Sequence, residues 1–324
     1  MNVLVTGGAG YIGSHFVKFL ISKNENVTVI DNLSRGHAEA IPPTVDFRKV
    51  DLLDYEKLQR QFSEKHFDAV VHFAAFAYVG ESVENPALYY TNNVVGSLNL
   101  IKAAVKSGVK KMIFSSTCSV YGNPLSVPIS EEESTKPINP YAESKLVIEK
   151  ILRDFETAYG LHYIALRYFN AAGADPEGEI GESHDPEPHL IPLVLQTALG
   201  KREKIYIFGD DYDTPDGTCI RDYIHVNDLA NAHYLALEYL SANEKSDVFN
   251  LGTGTGNSVK EIIDTAMKVT GKKINSEITG RRAGDPAVLV ADNSKAKKIL
   301  GWQPEINLEE IISTAYNWHK NPKF

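Results

Sequence analysis

The chain has 324 residues, enough for about two domains and for a core that shields roughly three quarters of the unfolded surface. With 43% hydrophobic and 23% charged residues it has the proportions of a folded soluble protein, which excludes disorder as its main state. Its 33 basic residues against 42 acidic ones leave a net charge of −9 and no general positive field for a nucleic-acid backbone, while its 2 cysteines, Cys118 and Cys219, match neither a disulfide framework nor zinc-ligand spacing.

The sequence starts on the apolar run 3–5 with no basic leader, so no signal peptide is expected. The most apolar region, 69–79, contains His72 and is too short to span a bilayer. A cytoplasmic protein is therefore expected, with no membrane or nucleic-acid partner. Short β-branched and aromatic runs predict strands over 3–6, 27–31, 45–50, 69–73, 111–115 and 163–167. Helical stretches lie between them over 11–23, 55–65, 89–107 and 140–159, the last opened by Asn139 as N-cap and Pro140 at the first helical position. This alternation predicts an α/β fold, a doubly wound parallel sheet buried on both faces. After Asn170 the pattern gives way to Pro-, Gly- and acid-rich sequence over 173–188, which puts a domain boundary near 170. A cofactor domain of residues 1–170 and a smaller substrate domain of 171–324 are expected. They are interleaved, because 248–251 reads as a buried strand returning to the first sheet.

Gly7, Gly10 and Gly13 stand where the first strand turns into the first helix. Without Cβ atoms the turn tightens, and backbone N–H groups and the helix N-terminus can approach a pyrophosphate. Asp31 closes the next strand, where a carboxylate accepts both ribose hydroxyls and repels a 2′-phosphate, so NAD is expected rather than NADP. The glycines of 252–256 lack such an acid downstream and read as a loop.

Tyr141 and Lys145 share one face of the 140–159 helix. A phenol is ordinarily a poor base at neutral pH, but a neighbouring ammonium and a cationic nicotinamide both favour the phenolate. The pair thus predicts a general base, and the hydroxyl-rich strand end Ser115-Ser116-Thr117 can line the same crevice. The segment 184–189 carries His184, Asp185, Glu187 and His189, but on a Pro-broken loop without a helix or hairpin to fix ligand geometry, so no metal is expected. Cys118 reads as a small buried filler.

These motifs are joined by His72-Phe73-Ala74-Ala75, Tyr90-Thr91-Asn92-Asn93-Val94, Arg167-Tyr168-Phe169-Asn170, Arg221-Asp222-Tyr223 and Arg281-Arg282-Ala283-Gly284-Asp285. Together the set resembles the UDP-hexose 4-epimerases of the extended short-chain dehydrogenase/reductase superfamily along essentially the whole chain. The resemblance implies a Rossmann-like sheet, bound NAD, a UDP-hexose substrate, and interconversion of UDP-glucose and UDP-galactose by oxidation at C4, turning of the 4-keto sugar and re-reduction. It implies catalysis by Thr117, Tyr141 and Lys145. Implied cofactor contacts are Gly7, Gly10, Tyr11, Ile12, Gly13, Asp31, Asn32, Asp51, Leu52, Phe73, Ala74, Asn92, Ser115, Tyr141, Lys145 and Tyr168. Implied substrate contacts are Thr117, Asn170, His189, Leu190, Arg221, Arg282, Asp285 and Val288. A homodimer is implied too, paired through the helices of 91–107 and 140–159, with Leu146, Ile151 and Leu152 toward the partner.

Three positions depart from the pattern: Thr117 and His189 replace the serine and asparagine of many members, and Ala77 replaces a lysine that contacts the cofactor pyrophosphate. In the family a tyrosine facing the sugar goes with restriction to plain UDP-hexoses and a smaller residue with acceptance of N-acetylated ones. Aligning Pro286-Ala287 puts Val288 at that position, which implies room for the acetamide. The rival readings are a 4,6-dehydratase, a UDP-glucuronate epimerase and a non-catalytic NAD-sensing regulator. The dehydratases carry Asp-Glu after the active-site hydroxyl, where this chain has Cys118-Ser119.

Overall fold

The apolar runs of the first half form β1 (Asn2–Thr6), β2 (Asn26–Asp31), β3 (Asp46–Lys49), β4 (Ala69–His72), β5 (Lys111–Ser115) and β6 (His162–Tyr168). Between them lie α1 (Tyr11–Ser22), α2 (Tyr55–Glu64), the short α3 (Val79–Glu84) and α4 (Pro86–Tyr89), α5 (Gly96–Lys106) and α6 (Pro140–Tyr159). The second half adds β7 (Asn170–Ala172), α7 (Leu190–Ala198), β8 (Ile205–Phe208), β9 (Ile220–Arg221), β10 (Tyr223–His225), α8 (Val226–Asn243) and β11 (Asp247–Leu251). It ends with β12 (Asn257–Ser258), α9 (Val259–Thr270), β13 (Ser276–Thr279), β14 (Val288–Leu289), α10 (Ser294–Leu300) and α11 (Leu308–Lys320). The computed structural model describes residues 1–282 and 285–324, so Ala283 and Gly284 of the arginine motif lie outside the described residues.

Seven strands pair in parallel in the order β11-β6-β5-β4-β1-β2-β3. The connections leave β1 toward β2 and β3 on one side and toward β4, β5 and β6 on the other. A crevice therefore opens at the carboxyl ends of β1 and β4. Alternation along β1 sends Val3 and Val5 into a cluster with Phe16, Val17 and Leu237, and Leu4 into another with Leu58, Leu100 and Leu152. Both faces are thus covered, which explains the unbroken apolar runs. The returning strand 248–251 is β11, in register with β6 from Asp247 opposite Ile164 to Leu251 opposite Tyr168. A separate cluster of Val194, Leu195, Ile207, Ile262 and Ile312 forms the core of the second lobe.

Two expectations meet differences. The stretch 89–107 is not one α-helix: Tyr90–Val95 is a π-helix ahead of α5. The wider turn re-aims Asn93, whose amide bonds Phe76 N, Phe76 O and Ser144 Oγ. In α6, Leu146 and Leu152 are buried in the chain's own core, so they present no apolar face to a partner.

Two histidines of this core report on acidity. His72 lies between Thr6 Oγ1 and Ser97 Oγ, 2.7 Å from each, and His233 bonds Leu229 O at 2.8 Å. Burial disfavours their charged forms and lowers His72 to about 3, with Lys145 adding to the effect, and His233 to about 4. The unfolded chain takes up protons near pH 6.5, so stability is full above that value and is lost as the pH falls from 6.5 toward 4, by up to about 1.4 kcal/mol per pH unit for each histidine. Unfolding midpoints measured from pH 7.5 to 5 at fixed ionic strength should fall progressively, and His233→Leu should flatten the slope.

Candidate active site

The crevice is a cleft of about 400 Å³. At its floor Gly7 has φ +76°, and a Cβ there would sit 2.4 Å from Ala74 N; a Cβ on Gly13 would sit 2.1 Å from Gly7 O. The turn is therefore closed to side chains, and Gly10 delivers the N-terminus of α1 to the cleft. Asp31 is 9% exposed and accepts from Ala9 N at 3.1 Å and Leu33 N at 2.8 Å. Burial raises its pKa while these backbone bonds work against the rise. Asn32 Nδ2 donates to Asp51 at 3.0 Å, and Leu52 O accepts from Asn99, which sets the far wall. Turn, acid and cleft together fit a dinucleotide. Tyr11, Ile12, Phe73, Ala74, Asn92, Ser115 and Tyr168 line the same space.

The hydroxyl groups enter from β5 and α6. Asn139 caps α6 through Ala142 N, and the first turn presents Tyr141 to the cleft. Burial pushes its phenol well up, and the nearby Thr117 hydroxyl pulls the other way. Thr117, 6% exposed, is itself the N-cap of the short turn Cys118–Tyr121. Lys145 is directed at the backbone: Nζ donates to Ser115 O at 2.7 Å and stands 5.1 Å over the Phe114 ring. Burial lowers it to about 7, against the attraction of Glu149. It holds the end of β5 against α6, and burial governs the phenol more than the ammonium does. Below, Glu149 pairs with Arg167 and accepts from Ser116 Oγ at 2.6 Å. Cys118 is partly exposed rather than the buried filler expected, yet desolvation still pushes its thiol up to about 12, which disfavours a nucleophile.

The proposed substrate residues divide. Asn170, His189 and Leu190 line the cleft with the cofactor residues. Arg221 pairs with Asp285 at 2.9 Å, where β9 and the segment before β14 meet, and acts electrostatically on Cys118. Arg282 lies 3.9 Å over the Phe208 ring. Val288 opens the two-residue strand β14. It pairs with Ile220, and Ile220 and Val290 both turn toward Gly256, so Val288 shares that face. Leu289, on the opposite face, packs against the cluster of Val120, Tyr121, Leu146 and Phe169 that also touches Cys118. Sequence reasoning also missed Arg35 and Tyr78, which line the cleft. Arg35 stacks on Phe76 and Tyr78, either side of Ala77, and pairs with Glu81 at 2.6 Å. A signal existed in Gly36, two residues before the helical turn Ala38–Ala40, whose Cβ would meet Ala9 at 2.8 Å and which draws the loop after Asp31 over the cofactor turn. The glycine loop 252–256 is tied to buried Asp222, which accepts from Thr253 N and Gly254 N.

Residues 3–252 match the family model described as the NAD dependent epimerase/dehydratase family. This chain belongs to that family. The UDP-glucose 4-epimerase of Halalkalibacterium halodurans is 56% identical over 321 residues, 99% of this chain and 96% of the relative. The crystal structure of UDP-glucose 4-epimerase from Brucella ovis in complex with NAD is 50% identical, with TM-score 0.95 over 97% of both chains. That of the UDP-Glc/GlcNAc 4-epimerase of Campylobacter jejuni is 45% identical, with TM-score 0.88 over 98% of this chain and 99% of the other. The glycine turn and the tyrosine helix flank one cleft, and among the described residues no helix is long and apolar enough to cross a membrane.

Asp31 predicts the nucleotide released when the purified protein is denatured. Mass spectrometry should find NAD. Asp31→Asn should weaken NAD by roughly tenfold or more through the loss of a charged hydrogen bond, and recovery of NADP as the main species would contradict the role given to the carboxylate.

Proposed function

We propose that this chain interconverts UDP-glucose and UDP-galactose as a 4-epimerase. The observation that carries the reading is the meeting, in one cleft, of the Thr117 and Tyr141 hydroxyls with a dinucleotide turn and its ribose acid. The glycine turn and Asp31 would hold NAD, which when bound would supply hydride acceptance and return at the sugar C4 and a positive charge. Tyr141 takes the proton of the 4-hydroxyl and gives it back, while the Thr117 hydroxyl in the same cleft is placed to hydrogen-bond the sugar 4-oxygen. Lys145 holds the wall between them. Inversion at C4 requires the hexose to turn while its nucleotide stays fixed. Arg221 and Asp285 suit the diphosphate and ribose, and Asn170, His189 and Leu190 line the way in. Neither Cys118 nor Ser119 offers the carboxyl group that a 4,6-dehydratase needs, which supports epimerisation.

Tyr141→Phe should lower kcat by about 10² to 10⁴ with its NAD content unchanged. Near-normal turnover would remove Tyr141 from the role.

The packing of Leu289 on the cluster against which Cys118 also packs supports it, rather than Val288, as the side chain that limits the sugar. Leucine leaves room for an acetamide, so UDP-N-acetylglucosamine is expected to react as well. Leu289→Tyr should depress the acetylated reaction about tenfold or more relative to the plain one, whereas Val288→Tyr should show no such selectivity. Equal losses in Leu289→Tyr would refute the assignment.

A cytoplasmic homodimer completes the proposal. With Leu146 and Leu152 in the chain's own core, pairing beside α5 and α6 would rest on outward side chains of the π-helix that leads into α5, such as Tyr90 and Val95, which are 39% and 45% exposed. Light scattering at micromolar concentration should give twice the chain mass.

A further inference from the structure

The loop between β7 and α7 gathers four ligand-type side chains that the epimerase chemistry does not use as a group. Glu182, His184, Glu187 and His189 each place one ligand atom within 4.8 Å of all the others. His189 Nδ1 is 2.7 Å from Glu182 Oε1 and 2.8 Å from Glu187 Oε1; His184 Nδ1 is 3.2 Å from Glu182 Oε1 and 3.7 Å from Glu187 Oε2. The edges of a tetrahedron with zinc-ligand bonds of 2.0–2.1 Å are about 3.3 Å long, in the middle of that range. Both carboxylates are withdrawn from water, with side chains 5% and 6% exposed. His184 Nδ1 is shut off from solvent and makes no hydrogen bond among the described residues.

We propose that Glu182, His184, Glu187 and His189 bind one divalent transition-metal ion of the zinc class, as a structural site that clamps segment 182–189 to the cleft wall. Two imidazoles exclude calcium and magnesium as natural occupants, since these prefer all-oxygen shells. Two carboxylates neutralise the dication, so the filled site carries no net charge at a place where the carboxylates are withdrawn from water and His189 stands at the surface. Four protein ligands leave no open position, which makes the site structural rather than catalytic.

The Pro-broken loop acquires the scaffold it lacks from elsewhere in the fold. Trp318 of α11, 1% exposed, donates its indole N–H to Glu182 O at 2.8 Å, and its ring lies where a Cβ on Gly181 would be. Tyr11 and Tyr78 set ring edges against His184 at centroid distances of 6.4 and 5.6 Å. Glu187 also accepts from His189 N at 2.9 Å. His189 and Leu190 continue into the cleft, so an ion here would fix the wall on which they stand. The other acidic group, Asp175, Glu177 and Glu179, already holds Lys18 at 2.7 to 3.0 Å and offers no imidazole, so it is no competitor for an ion of this class.

The test uses the full chain without an affinity tag, stripped with a chelator and titrated with Zn²⁺ and with Co²⁺. One ion per chain should bind tighter than about 10 μM. Co²⁺ should give the visible absorption of a tetrahedral site, and Zn²⁺ should abolish it. X-ray absorption at the zinc edge should show nitrogen and oxygen neighbours with imidazole scattering and no sulfur. His184→Asn and Glu187→Gln should each weaken binding about 100-fold or more, with the circular dichroism unchanged. Failure of the wild-type chain to bind one ion saturably, a sulfur shell from Cys118 or Cys219, or unaltered affinity in the folded variants would overturn the proposal. Each readout is independent of epimerase activity.

Discussion

The architecture of the cleft depends on one buried ion pair. Arg167 of β6 grips Glu149 of α6 through Nε at 3.0 Å and Nη2 at 2.5 Å, with both side chains no more than 8% exposed. Such a pair contributes little net stability when intact, but removing one partner leaves a buried charge unpaired, at a cost of about 3–5 kcal/mol. Its value here is geometric. Ser116 adds a hydroxyl to Glu149, and Tyr121 accepts from Arg167 at 3.0 Å and donates to Asn250 of β11 at 2.7 Å. Asn250 in turn holds Ile129 O at 2.8 Å. One polar network therefore joins α6 to the ends of β5, β6 and β11, directly beneath Thr117 and Tyr141.

The reactive groups follow from that constraint. Lys145 stands one turn before Glu149 on α6, so fixing Glu149 fixes the Nζ that holds Ser115 O. Tyr141 stands one turn further toward the N-cap, where Asn139 and Pro140 begin the helix. Burial then acts in opposite directions, raising the phenol and lowering the ammonium. The chain alone thus keeps Tyr141 protonated. A cation arriving above it in the cleft is what would make the phenol a base, and this couples proton transfer to cofactor binding. On the opposite wall the glycine turn is the rigid element, since neither Gly7 nor Gly13 has room for a Cβ.

Much of the first half was legible in the residues because its signals are local. Buried parallel strands show as short apolar runs, the Asn139-Pro140 start of α6 is a cap with a mechanism, and β11 reads like the strands it joins. Where the sequence misled, the deciding contacts are long-range. The π-helix Tyr90–Val95 fits an α-helical period by eye, and what selects it is Asn93 reaching Phe76 and Ser144. Leu146 and Leu152 look the same in sequence whether they face a sheet or a partner. In the two-residue strand β14 the side-chain period gives no register of its own; pairing with β9 sets it and turns Leu289 rather than Val288 toward the cluster against which Cys118 also packs. The acidic and histidine-bearing loop gave no sign of its geometry because Trp318, Tyr11 and Tyr78 supply it from distant parts of the chain.

The central claim is that one cleft removes and restores the same hydrogen at C4 of a nucleotide sugar. UDP-galactose carrying deuterium at C4 should be incubated with the purified protein in ordinary water, with no cofactor added, and the UDP-glucose formed analysed by NMR and mass spectrometry. The account predicts steady conversion with the deuterium retained at C4. Loss of the label to solvent, or conversion only when NAD is continually supplied in substrate amounts, would contradict it.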